Sequence, residues 1–178
     1  YKNITFKVAD FFEKIKITKK IKKKFKIISA LSVFYDIEKP NKFLSDVNDL
    51  LDNDGIFVLE QADLLSIIKL KMFDTICHEH LEYYSHKVII NLLKKNGLEV
   101  FDFIKNDING GSTQYYIKKI NASKYKVKNS KIQKLLREEK KYNLDQLDTY
   151  KKFIIDVNKI RKELSSLIKK IKNNGEII

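Results

Sequence analysis

The residues best suited to chemistry lie in one short segment, Phe73 to Ser85. Within it, His78, Glu79 and His80 place two imidazoles and a carboxylate on consecutive residues. An imidazole titrates near neutral pH and can take up or release a proton, and a neighbouring carboxylate can orient a substrate hydroxyl. If the segment is extended, His78 and His80 point to one side and Glu79 to the other. The segment is therefore a candidate site for general acid–base catalysis.

Two other interpretations of the same histidines stay open. A metal site, as in a metal-dependent hydrolase, could use His78 and His80. However, position 82 is Glu82 and not the second histidine of a His-Glu-x-x-His helix, and no second cluster supplies further ligands. The histidines and nearby tyrosines could also merely hydrogen-bond to one another within a loop. We assign no metal-binding residue.

The charge of the chain bears on the class of its partner. Among 178 residues, 36 Lys and Arg stand against 23 Asp and Glu, a net charge of +13 that would suit nucleic acid. Only two of the basic residues are arginines, whereas phosphate and base recognition favours the guanidinium group. The segment from Asp36 to Ser85 carries 11 acidic residues and 4 lysines. We therefore expect no nucleic-acid partner, and a Lys-rich RNA-binding or assembly module without catalysis is the alternative function.

Cysteine content and hydropathy indicate the compartment. The single Cys excludes a disulfide framework or a Cys-rich zinc cluster within these residues. No uninterrupted apolar stretch reaches the length that a membrane helix needs. The expectation is a cytoplasmic protein with no membrane partner, and the sequence does not fix its oligomeric state.

Apolar patterning predicts alternating strands and helices in the first part of the chain. Helices are predicted at Phe11 to Phe25, which is very basic, and at Pro40 to Asp52, ending at Asn53-Asp54-Gly55. Strands are predicted at Ile4 to Asp10, Lys26 to Leu31 and Ile56 to Glu60. This succession is typical of a parallel sheet covered by helices, an α/β fold.

The second part of the chain ends the sheet and turns helical. Ser85 can cap a helix that ends at Asn96-Gly97, and strands at Leu98 to Ile104 and Thr113 to Ile120 suit an antiparallel hairpin. From Leu147 to Ile171, apolar residues recur every three and four positions, which predicts a long helix. That helix could form a coiled coil, act as an arm for a partner, or lie on its own or a neighbouring domain.

Four sequence blocks together resemble a known enzyme family. They are Phe34 to Pro40, Asp54 to Gln61, Phe73 to Tyr84 and Asn106 to Ser112. The chain resembles the S-adenosylmethionine (SAM)-dependent C-methyltransferases related to enzymes that methylate keto-sugars on nucleotide carriers. The resemblance implies a partial Rossmann-like class I methyltransferase sheet over residues 1–121, with its first strands missing. Residues 122–178 would be a helical connection to a missing C-terminal domain, so the chain would be an internal fragment.

The resemblance also implies roles for individual residues. His80 matches the histidine assigned as general base, and Glu79 matches a glutamate that contacts the sugar. Cys77 stands where the relatives usually have a tyrosine near the substrate, so the acceptor could differ from theirs. The predicted acceptor site includes His78, Cys77, Tyr83, Tyr84, Asn109, Gly110, Gly111 and Ser112.

The sequence contains fewer of the residues expected for a cofactor site than for an acceptor site. No Gly-x-Gly turn is present, although nucleotide-binding α/β folds place one after their first strand. The resemblance implies that Asp10 matches the acid near the adenine, and that Ser29, Ala30 and Leu31 end the strand beneath the methionine moiety. Zinc would belong only to a missing N-terminal part. We expect SAM as the cofactor, weak SAM binding and no activity by the fragment alone, and methyl transfer to carbon or another atom of a small acceptor such as a nucleotide sugar.

Overall fold

A computed structural model describes residues 24–175, and its centre is a four-stranded sheet in the order β1-β2-β4-β3. Strands β1 and β2 are parallel, while β4 is antiparallel to both β2 and β3. The predicted parallel pair and the predicted antiparallel hairpin are therefore confirmed. The strands are β1 (Phe25–Leu31), β2 (Leu51–Ala62), β3 (Leu98–Asn106) and β4 (Ser112–Lys119).

Five α-helices accompany the sheet in the described residues. They are α1 (Pro40–Leu50), α2 (Leu64–Leu70), α3 (His86–Lys95), α4 (Asn129–Lys141) and α5 (Leu147–Asn173). Ser85 caps α3 as predicted, because its hydroxyl accepts a hydrogen bond from the Val88 amide at 3.3 Å. The α/β class with long C-terminal helices is confirmed.

The main core lies on one face of the sheet. Alternate side chains of a strand point to opposite faces, so Phe57 and Leu59 of β2 share a face with Tyr115 and Ile117 of β4, and all four are fully buried. Helices α1 and α3 contribute buried apolar residues to the same cluster, among them Leu44, Val47, Ile89 and Leu93. Burial of each such side chain stabilises the fold by about 1.5 to 3 kcal/mol relative to exposure.

Two local predictions differ from the structure. Helix α2 was not predicted, and β2 begins at Leu51 instead of Ile56. The pairing of β1 with β2 shifts register between Phe25 and Ile27, so the Asn53-Asp54-Gly55 residues lie in an irregular part of β2. Turn-forming residues therefore interrupt the pairing without ending the strand.

Some predictions concern residues outside the described range. The strand at Ile4 to Asp10 lies wholly outside it, as does the helix at Phe11 to Phe25 except for its last two residues, of which Phe25 begins β1. The domain division between residues 121 and 122 stays a prediction. Within residues 24–175, no helix has the length and apolar character to cross a membrane.

Candidate active site

A cleft of about 380 Å³ lies where the parallel strands β1 and β2 end. This is the sheet edge at which open α/β folds bind ligands. The cleft is lined from the turn after β1, from the end of β2, from α2, from the loop between α2 and α3, and from the loop between β3 and β4. The lining residues are Tyr35, Ala62, Ile67, Asp74, Thr75, His80, Glu82, Tyr83 and Asn109.

His80 lines this cleft with one ring nitrogen fixed. Its Nδ1 lies 2.7 Å from the carbonyl oxygen of Thr75. A carbonyl can only accept, so Nδ1 carries the hydrogen and the neutral ring keeps its lone pair on Nε2. The ring centroid lies 4.3 Å from that of Tyr35 and 6.3 Å from that of Tyr83. The ring is thus oriented, with Nε2 as its basic nitrogen.

Backbone hydrogen bonds tie the His80 loop to the turn after β1. The amides of Leu81 and Glu82 both donate to the carbonyl oxygen of Tyr35, each at 3.1 Å. The Tyr83 hydroxyl lies 3.4 Å from the Thr75 carbonyl oxygen that also holds His80. Two segments far apart in the sequence therefore form one cleft wall.

Burial shapes the electrostatics next to His80. Burial raises the pKa of Asp36, and the nearby His80 opposes that rise while Glu79 adds to it. The Oδ1 atom of Asp36 is buried without a hydrogen-bond partner among the described residues. Burial also raises the pKa of Tyr35, which a hydrogen bond with Ser32 opposes.

The rest of the His-Glu-His block is exposed. The side chains of His78 and Glu79 are 90% and 76% exposed, and they form a turn instead of an extended segment. The extended geometry in which His78 and His80 would point to one side is therefore not found. Cys77 is exposed as well. None of these three residues lines the cleft, and their predicted roles stay predictions.

The two adjacent tyrosines separate into cleft and core. Tyr83 lines the cleft, whereas Tyr84 belongs to the main core, with its ring centroid 5.1 Å from that of Phe34. Burial raises the pKa of Tyr84 to about 12. Tyr84 is therefore a core residue and not the pocket wall that was predicted.

The Asn109 to Ser112 loop contributes one side chain to the cleft. Asn109 lines it, and its Nδ2 lies 3.4 Å from the Ser32 hydroxyl. Gly110 and Gly111 have φ angles of 81° and 145°, and a Cβ on Gly110 would lie 3.2 Å from Met72 Cε. The buried Ser112 donates to the Ile108 carbonyl oxygen at 2.9 Å. The glycines serve the turn and its packing on Met72, and Ser112 closes the loop, so these three predicted ligand contacts are not found at the cleft.

The predicted cofactor residues divide between the two faces of β1. Ala30 is buried in the core, so its side chain points away from the open face. Ser29 and Leu31 are exposed on the other face, as strand alternation requires. Asp10 lies outside the described residues. Across residues 24–175, no group of three or more His, Cys, Asp or Glu side chains is placed to hold a metal ion.

Several lining residues had no predicted role. Two of the sequence blocks that carry the family resemblance contain four of them: Tyr35, Asp74, Thr75 and Glu82. Their place in these blocks was the signal in the sequence that could have identified them. Ile67 was missed because α2 was not predicted, and Ala62 because the predicted strand stopped at Glu60, two residues before β2 ends.

A second histidine, His86, lies in a separate buried polar cluster. Its Nδ1 is 2.5 Å from the Tyr115 hydroxyl, and its Nε2 is 3.4 Å from Asp63 Oδ1 without forming a hydrogen bond. Asp63 also accepts from the Thr113 hydroxyl at 2.8 Å, and Glu139 of α4 accepts from the His86 amide at 2.5 Å. Burial lowers the pKa of His86 to about 4, although Asp63 opposes that change. No motif or spacing in the sequence indicated this cluster.

Comparison with known proteins places the chain among methyltransferases. Residues 3–102 match a family model described as a methyltransferase domain, and residues 107–178 match one described as a C-methyltransferase C-terminal domain. The chain is 27% identical over 153 residues to the C-methyltransferase NovU of Streptomyces niveus. That alignment covers 86% of this chain and 36% of the relative, so the chain spans about a third of that protein's length.

Two of the solved structures that are similar to part of this chain are methyltransferases. The mitomycin 7-O-methyltransferase MmcR is 14% identical, with a TM-score of 0.45 over 57% of this chain and 32% of that one. The magnesium protoporphyrin IX methyltransferase of Synechocystis PCC 6803, with bound SAH, is 16% identical, with a TM-score of 0.42 over 56% of this chain and 47% of that one. Because the methyltransferase-domain model matches residues 3–102, more than half of the chain, the chain belongs to the family of proteins that carry this methyltransferase domain.

Proposed function

We propose that this chain carries the acceptor site of a SAM-dependent C-methyltransferase and that His80 is its general base. The observation that carries the proposal is the state of the His80 ring. It lines the cleft at the carboxyl ends of β1 and β2, and the Thr75 carbonyl leaves its Nε2 as the nitrogen that can accept a proton.

Proton removal is the step for which this histidine is suited. A carbon atom next to a carbonyl group becomes nucleophilic when it loses a proton, because the electron pair left behind is shared with the carbonyl oxygen. Nε2 of His80 would take that proton, and the acceptor carbon would use the electron pair to form its bond to the methyl group. The methyl–sulfur bond would break at the same time, with its electron pair staying on the sulfur of the S-adenosylhomocysteine that leaves. A positioned base contributes about 10² to 10⁴ to the rate of such a reaction.

Neighbouring groups support the charge that proton removal creates on His80. The imidazolium would lie against the Tyr35 ring, and a carboxylate at Asp36 would stabilise it by its negative charge. The Thr75 carbonyl keeps accepting from Nδ1 in both protonation states, so the ring need not turn during the reaction. Glu82 and Asn109 supply polar groups that can orient acceptor hydroxyls.

The last residue of β1 and the turn that follows it fit one part of the cofactor. Leu31 is exposed, and the Ser32 that follows has a φ of 52° and holds the strand end by donating its amide to the Glu60 carbonyl oxygen at 2.8 Å. Asp36 adds a buried oxygen without a protein partner, which could accept a hydrogen bond from a bound polar group. Leu31, Ser32 and Asp36 would hold the methionine moiety of SAM, which supplies an electrophilic methyl group when bound.

A nucleotide-linked keto-sugar is the proposed acceptor. Its ring carries a carbonyl that acidifies the adjacent carbon, as a base mechanism requires. The cleft volume lies in the range of small-molecule sites, and its lining mixes aromatic rings with carboxylates and an amide. The matched C-methyltransferase C-terminal domain and the similarity to NovU support carbon as the methylated atom.

The proposal is tested by transfer of isotopically labelled methyl groups from SAM to nucleotide-linked keto-sugars, with full-length protein. Replacing His80 by Gln keeps a polar side chain but removes the base, so turnover should fall about 10² to 10⁴-fold. Titration calorimetry should show that SAM affinity is nearly unchanged.

His78→Gln is the matched control, because His78 lies two residues away on the same loop and is exposed. This variant should keep near wild-type turnover. Full turnover by His80→Gln, or equal losses in both variants, would show that His80 is not the base.

A further inference from the structure

The cleft wall is supported from behind by a small apolar cluster that is separate from the main core. Its buried members are Ile67 of α2, Met72 of the following loop and Phe153 of α5. Ala62 and Tyr83 are partly buried against it. Ala62, Ile67 and Tyr83 also line the cleft, so the same side chains form the cleft wall and the cluster.

The cluster also reaches the opposite side of the cleft. Gly110 lies against Met72, since a Cβ at Gly110 would be 3.2 Å from Met72 Cε. Asn109, the neighbour of Gly110, lines the cleft. The cluster that contains Phe153 thus touches both the loop that carries His80 and Tyr83 and the loop that carries Asn109.

Phe153 is unusual within its own helix. Helix α5 has 27 residues, and Phe153 is the only one of them that is buried. Its neighbours Ile154 and Ile155 are 57% and 68% exposed. The ion pair between Lys71 and Asp156, at 3.7 Å, fixes the same part of α5 beside the end of α2. Phe153 is therefore the buried contact of α5 with this cluster, with the partly buried Val157 one turn further along the helix beside it.

From this arrangement we infer that Phe153 is a positioning residue for the acceptor site. Its ring keeps Tyr83 and Met72 in place, and through them it sets the distance between the His80 loop and the Asn109 loop. The inference rests on the proposed function, because it assigns to Phe153 the placement of the acceptor beside His80. Displacement by about 1 Å can cost a reaction up to a hundredfold in rate, so a distant ring can affect catalysis.

Nitrogen-15 NMR of the histidine rings in the full 178-residue chain tests the inference, since the chain has only three histidines. In the wild type, His80 should show the tautomer with hydrogen on Nδ1, as the Thr75 carbonyl requires. Phe153→Leu should shift the His80 signals toward the other tautomer, because the smaller side chain lets the loop relax. The His86 signals should stay unchanged, which also reports that the variant is folded.

The matched control is Ile154→Ala, which removes an exposed apolar side chain from the next position of the same helix. It should leave the signals of His80 unchanged. If Phe153→Leu does not fold, Phe153→Met, which retains a longer apolar side chain, replaces it. Unchanged His80 signals in the folded Phe153 variant, or equal changes in the control, would overturn the inference.

A kinetic measurement separates this inference from the proposed function. In the methyl-transfer assay, the folded Phe153 variant should lose about tenfold to a hundredfold in kcat/KM while SAM affinity stays the same. Unaltered kcat/KM in that variant would overturn the role of Phe153 while leaving His80 as the base. Survival of turnover in His80→Gln would instead overturn the proposed function, whatever the NMR signals show.

Discussion

His80 and His86 lie six residues apart in the sequence but in opposite environments. His80 is on a loop, lines the cleft and has only its Nδ1 held by the protein. His86 is fully buried, with Tyr115 against one ring nitrogen and Asp63 beside the other. The pKa of His86 is lowered to about 4 because burial disfavours its charged form.

The difference shows that residue type alone does not identify a catalytic histidine. Both rings could accept a proton in principle, but the His86 ring is closed off by protein on all sides. Its cluster joins Asp63, the N-cap of α2, to β4, α3 and α4, so it serves stability. The His80 ring keeps a basic nitrogen beside a cleft, so it can serve a reaction. Substitution of His86 should therefore reduce mainly stability, whereas substitution of His80 should reduce mainly the rate of the reaction.

The largest effect on stability is expected from His86→Ala. The substitution leaves a cavity and removes the partner of the buried Tyr115 hydroxyl, so the free energy of unfolding should fall by about 2 to 5 kcal/mol. Urea denaturation followed by circular dichroism measures this loss. His80→Ala, the matched change in the cleft, should cost less than about 1 kcal/mol, and similar losses in both variants would contradict the distinction.

A second, smaller effect concerns pH. The pKa of His86 is about 4 in the folded state, below the value of 6.5 for a free histidine, so the unfolded chain binds more protons between these values. The stability contributed by neutral His86 is fully present above pH 6.5 and is lost as pH falls toward 4. Between pH 7 and pH 5, the free energy of unfolding should fall by about 2 kcal/mol more in the wild type than in His86→Gln. Parallel pH profiles for the two proteins would show that His86 does not remain neutral in the fold.

The smallest effect is expected at Tyr84. Its hydroxyl is buried and has no hydrogen-bond partner within residues 24–175, so Tyr84→Phe removes a group that contributes no bond there. Stability should change by less than about 1 kcal/mol in either direction, and methyl transfer should be unaffected. A loss above about 2 kcal/mol in thermal or urea unfolding would show that this hydroxyl is bonded in the folded protein.

The sequence predicted the elements that repeat a pattern over many residues. Strand β1, helices α1 and α3, the β3–β4 hairpin and the long α5 follow from apolar periodicity and end signals. Helix α2 was missed because it has only seven residues, too few for a clear period, although Asp63 caps it by accepting from the Ser66 amide at 2.9 Å.

The site was less accessible to sequence reasoning, because its geometry depends on contacts between distant segments. Motif resemblance selected His80, Tyr83 and Asn109, which the structure brings to one cleft. It could not separate Tyr83 from Tyr84, since only the packing of Phe34 places the second tyrosine in the core. The Tyr35 carbonyl holds the His80 loop by accepting from the Leu81 and Glu82 amides, and such backbone bonds leave no trace in residue type.

Hydrogen exchange at the acceptor carbon tests the central claim most directly. In heavy water without SAM, a nucleotide-linked keto-sugar should take up deuterium beside its carbonyl faster with the wild type than without protein, since Nε2 of His80 removes that proton reversibly. NMR should show this acceleration reduced about a hundredfold or more in His80→Gln and retained in His78→Gln. Equal exchange with wild type and His80→Gln would contradict the assignment of His80 as the base.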